Sequence, residues 1–82
     1  STPPAIVDLK RGLSVNDRFL FQRELFGNNS QQMNESMNKL STFETYEQAE
    51  NYLRENKSWD FEDSTVLEFL SVIEKGLSSR NR

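Results

Sequence analysis

At 82 residues the chain has room for one domain and one core. Hydrophobic residues make up 34% and charged residues 28%, with a mean hydropathy of -0.79, but Leu, Ile, Val and Phe still supply about a quarter of the chain and the net charge is only -3, a globular rather than a disordered balance. There is no Cys and no His, which excludes disulfides, thiolate nucleophiles and the commonest general base and metal ligand; no apolar run approaches the roughly 18 residues of a membrane span, and no charged-then-apolar start reads as a secretory signal.

The opening residues Ser1-Thr2-Pro3-Pro4-Ala5 read as the end of a linker or a tag remnant, because paired prolines favour extended chain without a core. Ile6, Val7, Leu9 and Leu13 then suit either a short helical turn or an extended arm. Gly12 keeps any helix there short, and the segment is read as an N-terminal arm laid over the core.

The first clear helix is predicted from Asn16 to Phe26. Asn16 is the expected N-cap, with Asp17 in the first turn where the helix dipole favours an anion. Val15 is placed to staple onto Leu20. Phe19, Leu20, Phe21, Leu25 and Phe26 form a wide apolar face, and Gly27 with Asn28 and Asn29 closes the segment. A second helix is predicted over 30–40, capped by Asn29 or Ser30. Its only apolar residues, Met33, Met37 and Leu40, form a narrow seam. So little apolar area is expected to be completed by the arm, through Ile6 and Val7, or by a second copy of the chain.

The third helix is expected over 46–55, where Thr45 and Gln48 make a capping box. Tyr46, Ala49, Tyr52 and Leu53 share its apolar side, and Phe43 is expected to plug the core ahead of it. The fourth is expected over 61–77, with Asp60 or Ser64 as its cap. Val66, Phe69, Leu70, Ile73 and Leu77 recur with the clearest 3.6-residue period in the chain. The expected fold is therefore all-α: a compact bundle of about four short helices with an N-terminal arm. A single helical domain spans 6–77, and the polar residues 78–82 form a flexible tail. Phe19, Leu20, Leu25, Leu53, Phe69, Leu70 and Ile73 are the expected core.

Charge is uneven along the chain. Residues 1–27 sum to +1, residues 28–63 to -5 and residues 64–82 to +1. The acidic middle repels nucleic acid and attracts a basic surface. No calcium-loop spacing occurs, and Asp60, Glu62 and Asp63 read as helix-capping groups before they read as ligands for a hard cation. None of the serines lies in a nucleophile-elbow frame, and three glycines form no phosphate loop. No catalytic residue, metal or cofactor is therefore expected, and the chain is read as non-enzymatic. A small nucleic-acid-binding domain is the alternative, with Gln31, Gln32, Asn34, Asn38 and Lys39 as suitable contact types on the second helix. The acidic balance, with pI near 4.9, disfavours it.

Trp59 and Phe61 flank Asp60 ahead of the last helix. Aromatic anchors beside an arginine are the usual energetic centre of a protein interface, and Arg18 and Arg23 are the arginines considered for that place. The alternative is that Trp59 simply closes one end of the core.

The run Asn16-Asp17-Arg18-Phe19-Leu20-Phe21, followed by Glu24-Leu25-Phe26-Gly27, by Trp59-Asp60 and by Val66-Leu67-Glu68-Phe69-Leu70, resembles a small helical domain family of uncharacterised Bacteroidetes proteins. The resemblance covers residues 8–77 and departs at Gly76 and the polar tail. It implies a C-terminal module behind a linker in a longer cytoplasmic protein, and it carries over no catalytic or binding residue. The expected role is a protein-interaction or assembly module with an unidentified protein partner, away from the membrane, and a monomer or weak homodimer.

Overall fold

The segments with helical periodicity become helices in the computed structural model, which describes Leu9 and residues 13–80, the last two by backbone alone. Among the described residues there are four helices and no strand: α1 (Val15–Leu25), α2 (Ser30–Leu40), α3 (Tyr46–Asn56) and α4 (Ser64–Arg80). The order and number match the all-α expectation. Ile6 and Val7, expected to cover the second helix, lie outside the described residues. Leu9 is buried in the core.

Capping chemistry sets the helix starts, and in two places it differs from the expectation. α1 is capped by Ser14, whose hydroxyl accepts from the Asp17 N–H at 3.0 Å, so the helix begins two residues earlier than an Asn16 cap allows. Val15 thereby becomes the first helical residue and is 70% exposed, instead of stapling inward. α4 is capped by neither Asp60 nor Ser64. Asp63 Oδ2 accepts from the Thr65 and Val66 N–H groups at 3.0 and 3.3 Å, while Asp60 Oδ1 accepts from Glu62 N–H in the preceding turn. The other two starts agree with the sequence reading. Asn29 caps α2 through Gln32 N–H, and Thr45 and Gln48 close a full capping box on α3.

The turn after α1 depends on two successive residues in the left-handed region, Gly27 at φ 59° and Asn28 at φ 61°. Glycine and asparagine accept that conformation at the least steric cost. The turn brings Asn28 N–H to the Gln22 carbonyl at 2.8 Å and the Asn28 side chain to Gln22 Nε2 at 3.1 Å. At the other end of the chain, α4 passes through Gly76 without stopping and runs three residues beyond Leu77.

α4 packs against both α1 and α3. Its inward residues Val66, Phe69, Leu70, Ile73 and Leu77 are all buried, as their spacing predicts. Phe69 sits at the centre of an aromatic cluster. Its ring meets Phe21, Trp59 and Phe26 edge-on at centroid separations of 5.3, 5.7 and 5.9 Å, the arrangement the ring quadrupoles favour. Met33, Met37 and Leu40 are only 3%, 1% and 0% exposed, so the α2 seam is covered within the chain and requires no second copy. Ser36 and Ser41 are buried beside it, and Ser41 Oγ donates to the Asn38 carbonyl at 2.6 Å.

The expected core is right for Leu53, Phe69, Leu70 and Ile73 and wrong for Phe19, which is 61% exposed. Leu20 and Leu25 are only half-buried. The reason is helical geometry. Phe19 and Phe21 are about 200° apart around the axis, so one helix cannot point both at the same core. Phe21 takes the inward place against Phe69, and Phe19 faces out.

Candidate interaction surface

Trp59 is half-buried, and its position is set by a polar tether as well as by ring packing. Its indole N–H donates to the Leu25 carbonyl at 3.0 Å. That carbonyl belongs to the last turn of α1, where no intrahelical donor remains for it. The bond joins residues far apart in sequence, while the indole body meets Phe26 edge-on at 5.5 Å and Phe61 at 6.1 Å. Trp59 therefore closes one end of the core, and Phe61 extends the cluster outward.

The cations on this cluster are not Arg18 and Arg23. Arg54 lies over the Phe61 ring at 4.6 Å and is held there by Glu50, four residues earlier, at 2.7 Å. Lys57 lies 5.3 Å from the Phe26 centroid and 6.0 Å from that of Trp59. Arg18 and Arg23 are exposed on α1, where Arg23 pairs with Glu24 at 3.3 Å. That pair is largely solvated and contributes little to stability.

Shallow concavities open on the surface among the described residues. One, of about 250 Å³, is lined by Glu24, Leu25, Trp59, Asp60, Asp63 and Val66. Its Asp60 and Asp63 carboxylates are engaged by backbone N–H groups, as their capping role requires. Another, of about 410 Å³, lies between the end of α2 and the outer side of α3 and is lined by Lys39, Phe43, Gln48, Asn51, Tyr52 and Glu55. There the Phe43 and Tyr52 rings stand 5.5 Å apart at 49°, and Lys39 Nζ sits 5.5 and 5.9 Å from their centroids.

A further surface feature is the outer side of α1. Val15, Phe19 and Arg23 follow at four-residue intervals and so form one stripe. Among the described residues, Val15, Phe19 and Leu67 on α4, the last 50% exposed, are the large hydrophobic side chains left exposed. Arg18 flanks the stripe, whereas Asp17 and Glu24 lie roughly half a turn round the helix from Val15. Arg18 and Arg23, expected beside Trp59, thus accompany Phe19 instead. The sequence signal for this face was the spacing of Phe19 and Phe21, which sets one of them outward.

Tyr46 links α3 to α4 electrostatically. Its phenol pKa is pushed up from 10.0 to about 12, chiefly by burial, then by the nearby Glu50 charge and hydrogen bond and by Glu74, with Arg54 opposing.

No helix among the described residues is long and apolar enough to cross a membrane. No curated protein and no solved structure matches the chain. Residues 10–78, which include all of α1, α2 and α3 and most of α4, match a family described as a domain of unknown function, DUF8457, and the chain belongs to that family.

Proposed function

We infer that this domain is a non-enzymatic protein-interaction or assembly module, part of a longer cytoplasmic protein of Bacteroidetes type, and that the outer side of α1 is its contact surface. The observation carrying this reading is the exposure of Phe19 at 61% and Val15 at 70% on one helix face, in a chain whose other phenylalanines are buried or half-buried. Exposed aromatic side chains beside arginine are the usual anchors of an interface, because they lose much apolar surface to a partner and little conformational entropy. Trp59 and Phe61 support this reading less well, since one closes the core and the other is already covered by Arg54.

The test is a pull-down from lysate of the native source with wild-type domain and with Phe19→Ser. A protein retained by the wild type and lost with the variant, while the variant's helicity and melting temperature are unchanged, supports the reading. Equal retention by both removes α1 from the interface. The nucleic-acid alternative draws support from Gln31, Gln32, Asn38 and Lys39, all exposed on α2. It requires binding to generic DNA that weakens steeply with salt, as phosphate contacts do. Salt-independent or absent DNA binding rejects it.

A further inference from the structure

We draw no further inference here: the strongest candidate, the outward patch of Val15 and Phe19 on α1, is an unpartnered apolar face, and nothing in the structure shows what covers it.

Discussion

α1 and α2 are each eleven residues long and distribute apolar surface in opposite ways. α2 has three apolar residues, Met33, Met37 and Leu40, and buries all of them together with Ser36. α1 has five, of which only Phe21 is fully buried, Leu20 and Leu25 are half-buried, and Val15 and Phe19 face solvent. The helix with less apolar material is the better buried because its apolar residues share one line. In α1 they are spread around the axis, and no single core can take both sides. Apolar content is thus a poor guide to burial in a chain this small; the angular distribution decides. The surplus on α1 is the surface available to a partner.

The largest test of this contrast is Phe69→Ala. Phe69 is the α4 ring against which Phe21 and Phe26 anchor the inward side of α1. Its loss is expected to cost roughly 3–5 kcal/mol, a large share of a small domain's stability. Chemical denaturation measures it, and a change under about 1 kcal/mol would show that α1 is held by something else. Met37→Ala should cost roughly 2–5 kcal/mol, because the side chain is 1% exposed on a helix with few other apolar contacts. A change near zero would break the claim that the narrow α2 seam holds that helix down.

Smaller effects sharpen the comparison. Ser14→Ala and Thr45→Ala should each cost about 1 kcal/mol by removing a capping acceptor. Asn16→Ala should change little, since Ser14 holds the α1 start. Thermal melts of the three variants decide which residue caps α1. At alkaline pH, Tyr46 gives a directional test. The fold raises its pKa from 10.0 to about 12, so it favours the neutral phenol. That contribution is intact below about pH 10 and is lost as pH rises toward 12, where the phenol ionises in the folded state as well. In a Tyr52→Phe background, ultraviolet titration should place the remaining phenol near 12, and Glu50→Gln should bring it down. The smallest expected effect is that of Phe19→Ser on stability, within about 0.5 kcal/mol, because the side chain is already mostly in water. A loss of several kcal/mol would mean that Phe19 belongs to the core.

Much of the fold was legible along the chain. The α2 bounds, the Thr45–Gln48 capping box and the buried register of α4 follow from local periodicity and from side chains that cap within three residues. The starts of α1 and α4 were misplaced because Ser14 and Asn16, or Asp60, Asp63 and Ser64, are chemically equivalent caps at nearby positions. Which one captures the free N–H groups depends on how the incoming chain is held.

The candidate surface was less legible. Arg18 and Arg23, expected beside Trp59 and Phe61, stand on the exposed side of α1 with Phe19, and Arg54 and Lys57 take the places on the aromatic cluster. The Phe43–Tyr52 concavity joins the end of α2 to the side of α3, and no local pattern announces it. The sequence by itself determined four helices, three of their ends and one strongly amphipathic stripe, because hydrogen bonds and periodicity act over a few residues. Only the tertiary structure decided that Phe21 rather than Phe19 enters the core and that the Trp59 indole bonds to the Leu25 carbonyl, 34 residues away. Both outcomes depend on the limited space around Phe69, which one ring of α1 occupies at the expense of the other.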